Sequence, residues 1–298
     1  MYILDTCALQ SIKRSTLELI RENVDIAISP LTFYELLCHL DETKKGKNFD
    51  RQKGNVLKCK IPRILHDPFA SYTITVGAEK DTNPSRFEEP VVIEQFLEKL
   101  EKAKNLDGFF NDTIAFPDGA KGFCNDVAQR ASQVLEREEL RYLEILYSLK
   151  DMLKYEAKNK YSEDSYNNIS PIRFESLISK FVSHLTTAHS VGDGILDKDL
   201  LSKVNSSMYL FFGYITARVI KYIKEDVSGN IGFKPDKNDC EDAFITLHLQ
   251  LLREDTLVTN DGGTKKTLEW IIKTLRENQK ECKVRVINSK NFISETLK

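Results

Sequence analysis

Two short apolar runs, each stopped by an aspartate, constrain this chain most. "YILD" starts at the second residue, and "TLVTND" lies near the other end. Runs of β-formers this short read as buried strands. A carboxylate closing such a strand is costly to bury unless something pairs with it. Asp5 therefore has two readings. It can cap the helix expected over "ALQSIKRSTLELIRE". It can also be a ligand at the carboxyl end of a parallel strand, where open α/β sheets place their sites. Asp261, just before the Gly262–Gly263 turn, poses the same choice.

The flanking sequence sets these runs in an alternating pattern. "VDIAIS" reads as a second strand, followed by Ser29 as N-cap and Pro30 at the first helical position of "PLTFYELLCHL". Near the other end come a helix over "KNDCEDAFITLHLQLLRE", the strand "TLVTND", a helix over "TKKTLEWIIKTLREN" and a strand "KVRVIN". Alternation of this kind predicts a parallel sheet with helices on both faces. The middle differs in kind. From about Glu88 to Asp226 apolar residues recur three or four apart, which predicts a mainly α-helical insertion. The polar stretch before it, including "DETKKGKNFDRQKG", reads as loop with short elements. The expected division is 1–45 and 229–298 for the α/β part and 46–228 for the insertion.

Bulk properties exclude several classes. A net charge of −2 argues against broad, non-specific coating of nucleic acid, although a local basic groove is compatible with it. No stretch approaches the roughly 20 apolar residues that span a bilayer. No basic, apolar leader precedes the first strand, so a cytoplasmic location without membrane contact is expected. The six cysteines are scattered without a C-x-x-C pair, which suggests neither a zinc site nor a disulfide framework. His184 and His189 are five apart, the wrong spacing for a same-face pair, and no nucleophile–histidine pairing stands out. Lys44, Lys45, Lys47, Arg51 and Lys53 form either a solvated loop or a phosphate-contacting arm. The helix "YITARVIKYIKED" sets Arg218, Lys221 and Lys224 near Tyr214 and Tyr222. That helix is either an ordinary amphipathic one with a solvated face or a strand-binding surface.

The acids carry the chemistry. Asp5 and Asp261 end strands. Glu35 lies within the apolar run "LTFYELLCHL", and Asp239 and Asp242 share one face near a helix start. Each has a plain structural use: a cap, a solvated face or a favourable place at a helix dipole. Brought together at one sheet edge, they would repel one another and raise each other's pKa unless cations neutralised them. Hard oxygen donors select Mg²⁺ or Mn²⁺. Such ions lower the pKa of an attacking water and stabilise a leaving oxygen, so phosphodiester hydrolysis needs no side-chain nucleophile.

"YILDTCAL", "ISPLTFYELL" and "NDCEDAFITLHLQLLREDTLVTND" together resemble a PIN-domain ribonuclease. That family has an Asp after the first strand, a Glu in an early helix, an Asp opening a later helix, and a final Asp after a strand of the form hhTxD. Asp5 with Thr6, Glu35 in the Ser29–Leu36 setting, and Asp261 with Thr259 match three of these. For the other, Asp242 fits the "DAxI" form and Asp239 the "NDxxD" form; Asp242 is favoured, with Asp239 close to the ions. The resemblance covers about the first 40 and last 70 residues. The long helical middle departs from the compact family pattern. The resemblance implies an α/β PIN-like parallel-sheet sandwich and an endonuclease that hydrolyses RNA with Mg²⁺ or Mn²⁺. Asp5, Asp242 and Asp261 would be metal ligands, with Glu35 and Asp239 binding a second ion or orienting water. Thr6 and Thr259 would support the carboxylates by hydrogen bonds, and Asn260 would either do likewise or serve the turn. Three rivals stand beside this reading: an inactive scaffold or oligomer that meets a protein partner through the insertion, a nuclease for single-stranded DNA, and a haloacid-dehalogenase-like phosphatase. The last wants a second Asp where Cys7 stands.

Overall fold

The computed structural model describes residues 1–40, 49–76, 89–104, 122–158, 176, 178–179, 198–229, 233–236 and 239–297. Five parallel strands form one sheet in the order β3-β2-β1-β4-β5. They are β1 (Tyr2–Leu4), β2 (Ile26–Ile28), β3 (Arg63–Ile64), β4 (Thr256–Val258) and β5 (Arg285–Ile287). β1 sits at the centre, with Leu4 level with Ile28 on one side and Val258 on the other. Every residue of β2 and of β4 is buried. Successive strand residues point to opposite faces, so both faces of the sheet are covered. The chain is α/β, as the alternation predicts.

Two expectations change. The sheet takes its outer strand β3 from the stretch read as loop, so the α/β part reaches past residue 45 into the expected insertion. Two residues are too few to show any periodicity. The helix expected over "KNDCEDAFITLHLQLLRE" stops early: α9 (Asp239–Ile245) runs into a 3₁₀ turn, Thr246–His248, and Leu249 is extended. Buried Asp255 accounts for the stop. Its carboxylate accepts from the Gln250 backbone N–H at 3.1 Å and pairs with Arg253, folding the chain back before β4.

The remaining helices are α1 (Thr6–Ser11), α2 (Arg14–Arg21), α3 (Pro30–Cys38), α4 (Phe49–Leu57), α5 (Pro68–Val76), α6 (Glu89–Lys102), α7 (Phe123–Lys158), α8 (Lys198–Gly229), α10 (Gly262–Glu277) and α11 (Ser289–Thr296). Ser29 caps α3 as expected, its Oγ accepting from the Leu31 N–H at 3.3 Å with Pro30 behind it. Of the expected helical stretches in the middle, α6, α7 and α8 account for three. Most of the fourth, "ESLISKFVSHLTTAH", lies outside the described residues, as do Lys44, Lys45 and Lys47. Among the described residues no helix is long and apolar enough to cross a membrane.

The middle helices are not a separate body. α7 packs on α3 and on α8, and α8 packs on α10. Phe211 of α8 stacks on Phe244 of α9 with centroids 5.6 Å apart, and Phe69 of α5 closes the cluster at 5.3 Å from Phe244. Buried Glu89 of α6 accepts from Tyr34 of α3 and from Arg130 of α7, fixing three helices at one charged point. Lys53 is spent on the backbone oxygens of Glu101 and Ala103. At Gly213 of α8 a β-carbon would come within 3.1 Å of Ile271 Cγ2 of α10, so the crossing leaves little room for a side chain. Gly213→Val should overpack it, costing about 1–3 kcal/mol and lowering the melting temperature by roughly 3–10 °C. Thermal unfolding checks this, and an unchanged midpoint would mean that the two helices can separate freely.

Candidate active site

The carboxyl edge of the sheet is where the strand-end residues meet. At the switch point of the strand order, between β1 and β4, both neighbours of the crevice end in an acid. Asp5 is tied in by its backbone N–H, which donates to the Val258 oxygen at 3.1 Å. Its extended backbone ends β1 while its Oδ1 caps α1, accepting from the Ala8 N–H at 2.7 Å. Asp261 does the same for α10, its Oδ1 accepting from the Thr264 N–H at 2.5 Å. The two readings of each aspartate are therefore compatible: one residue both caps a helix and lines the crevice.

A cavity of about 190 Å³ opens there. Five carboxylates line it: Asp5, Glu35, Glu241, Asp242 and Asp261, with Thr6, Cys7, Ser29 and Thr32. Glu35 comes from α3, and its Oε2 accepts from the Thr6 hydroxyl. Glu241 and Asp242 come from the first turn of α9. Thr259 is buried beneath, its Oγ1 accepting from the Asp261 N–H at 3.0 Å, and its hydroxyl also bears on Asp5. Thr6 thus bonds one carboxylate and Thr259 bears on another. Asn260 does neither: its amide donates to Ser11 Oγ at 2.9 Å and its oxygen accepts from Ser289, so it ties the loop to α1 and α11.

Asp239 is also placed elsewhere. It is absent from the cavity lining and is held by Arg218, 3.2 Å away, and by the Tyr222 hydroxyl. The reason lies on α8. Arg218 is buried, and a buried guanidinium must find an anion. The helix "YITARVIKYIKED" therefore turns Tyr214, Arg218 and Tyr222 inward instead of presenting them to solvent. Lys221 is half-exposed, 3.9 Å from Glu225, and the Lys224 side chain lies outside the described residues. The sequence does carry a signal: an arginine inside the nearly continuous apolar run "MYLFFGYITARVI" is far from any polar face. Glu241 takes the lining position not assigned from sequence. Its signal is three acids in four residues at a helix start, "DCED", too many for one dipole to accommodate.

Electrostatics follow from this packing. Burial, with the Asp261 and Asp5 charges added, pushes Asp242 up to about 7. Burial and the charges of Glu35 and Asp242 push Glu241 up to about 9, and Glu241 and Glu35 are hydrogen-bonded, so the pair shares a proton at neutral pH. Burial also raises Asp5 and Glu35. Asp261 is the exception. Burial raises it, but the Thr264 N–H and hydroxyl, the Arg218 charge and the Gly263 N–H outweigh that and leave it lowered. Cys7 is pushed up to about 12 by burial and the Asp5 charge, so its Sγ stays protonated and donates to Asp5 Oδ2 at 3.0 Å.

Among the described residues no group of three or more His, Cys, Asp or Glu side chains is so placed that it could hold a metal ion by itself. The donor set is nonetheless that of a hard divalent cation: carboxylates and hydroxyls, with neither thiolate nor imidazole in the lining. Uncompensated, the cluster destabilises the fold as it ionises. The folded chain retains protons on Asp242 and Glu241 that the unfolded chain has already released. Stability should therefore fall as pH rises from about 4 to about 9, and fall again below about 4 as Asp261 is protonated. Glu241→Gln keeps a donor toward Glu35 and removes the charge. At pH 9 it should be more stable than wild type by about 1–3 kcal/mol, with the difference shrinking toward pH 5. Urea unfolding across this range measures it, and a variant with the wild-type pH slope would refute the cluster's electrostatics.

Compared with protein-family models, with curated proteins and with solved structures, the chain finds no match.

Proposed function

We propose that the chain is a metal-dependent endoribonuclease, of the kind that its PIN-like motifs imply. One observation carries the reading: five carboxylates from four separate elements of the chain surround one cavity at the sheet's switch point. Asp5, Asp242 and Asp261 would hold the ion, with Glu35 and Glu241 beside it. A bound Mg²⁺ or Mn²⁺ would lower the pKa of an attacking water and stabilise the leaving oxygen. The chain's own residues do the rest. The caps of α1 and α10 fix Asp5 and Asp261 before substrate arrives. Thr6 orients Glu35, and the proton that Glu241 shares with it can be released when positive charge enters the cavity.

The alternative of an inactive scaffold is favoured by the acids' spacing, which leaves no ready three-residue ligand group among the described residues. Cleavage of labelled RNA and single-stranded DNA with Mn²⁺ decides among the readings. Wild type should cut RNA, EDTA should abolish the cutting, and Asp5→Asn should lose at least about a hundredfold. Cleavage that survives both treatments would sink the proposal. Preference for the DNA strand would keep the chemistry and change the substrate, and no cleavage of either would favour the scaffold.

A further inference from the structure

We infer that Tyr214, Arg218 and Thr264 are positioning residues that hold Asp242 turned into the acidic cavity, so that helix α8 forms part of the site. Arg218 Nε and Nη2 both donate to the Tyr214 hydroxyl oxygen, at 3.0 and 2.6 Å, and the guanidinium lies 4.9 Å from the centre of the same ring. That oxygen is 3.1 Å from Thr264 Oγ1 and 3.5 Å from Asp242 Oδ2. The Thr264 hydroxyl in turn donates to Asp242 Oδ2. Tyr214, Arg218 and Thr264 are almost wholly buried, so water does not compete for these bonds.

The donors run in one direction. A guanidinium can only donate. Two of its N–H groups occupy the lone pairs of the phenol oxygen, so the phenol proton must point outward, to Thr264 or Asp242. Thr264 has one hydroxyl proton, which goes to Asp242, and the same hydroxyl also bears on Asp261. Every proton in the chain therefore points toward Oδ2, which must accept. The arrangement clamps one carboxylate oxygen from behind while Asp242 lines the cavity in front. Thr264 serves both neighbouring acids, giving its backbone N–H to Asp261 and its hydroxyl to Asp242. A change at this threonine is felt by two of the lining carboxylates at once.

The consequence for metal binding rests on the nuclease reading, but the clamp is a matter of geometry and is tested separately. Arg218 variants would strand Asp239 without its buried partner and could fail to fold, so Tyr214→Phe, Thr264→Val and Thr264→Ser are used. Crystal structures of the metal-free variants report the orientation of Asp242, and electron paramagnetic resonance titration reports Mn²⁺ affinity. Tyr214→Phe and Thr264→Val should each turn the Asp242 carboxylate and weaken Mn²⁺ binding about tenfold. The double variant should lose less than the sum of the two, because both act through one chain of bonds. Thr264→Ser, which keeps the hydroxyl, should bind as wild type does. An unmoved Asp242 in Thr264→Val overturns the inference, whereas an Asp242 that turns while Mn²⁺ affinity stays at the wild-type value upholds the positioning role and overturns only its consequence for metal binding. If wild type binds no Mn²⁺ but the carboxylate still turns, the nuclease reading falls and the positioning role stands.

Discussion

Negative charge gathered at the carboxyl edge of a parallel sheet is the constraint around which this molecule is arranged. A lone buried carboxylate would take up a proton, and a group of them would force the fold apart. Here the charge is managed by distinct means at each residue. Asp5 and Asp261 face backbone N–H groups at helix starts, Glu35 accepts from Thr6 and shares a proton with Glu241, and Asp242 accepts from Thr264. Arg218 supplies a full positive charge from behind. What is left over faces the cavity, and a divalent cation is the ordinary complement to such a surplus.

The helical middle takes its place from the same constraint. α7 and α8 cover the helices that carry the acids, and their packing is aromatic and apolar except at a few paired charges. One of those pairs, Arg218 with Asp239, lies directly behind the cavity. A segment that looks like an addition to a smaller α/β unit is thus continuous with its core, and α8 could not be removed without exposing both an apolar face and an unpaired acid.

Much of the site was legible because its signals are local. An aspartate closing a short apolar run announces both a strand end and a cap, and Asp5 and Asp261 are both. Ser29 and Pro30 announce α3, which fixes Glu35 on it. What was not legible depends on partners distant in sequence. Periodicity places Asp239 and Asp242 on one helix face, but Arg218 captures the first and leaves the cavity to Glu241 and the second. Burial decides which acid faces inward, and burial is set by α3, α7 and α8 together. β3 is invisible for another reason: two residues pair with β2 only because β2 is already there.

The central strand carries a consequence for how the molecule comes into being. β1 holds residues 2–4, yet one of its two neighbours is β4, with Leu4 beside Val258. Pairings between positions so far apart form slowly, since a very long loop must close first. As the chain emerges from the ribosome, β1 can join β2 early but has an open flank until β4, at residues 256–258, has been made. The crevice is born at that last seam. Any catalytic capacity it has is therefore withheld from nascent and truncated chains, whatever helices they have already formed.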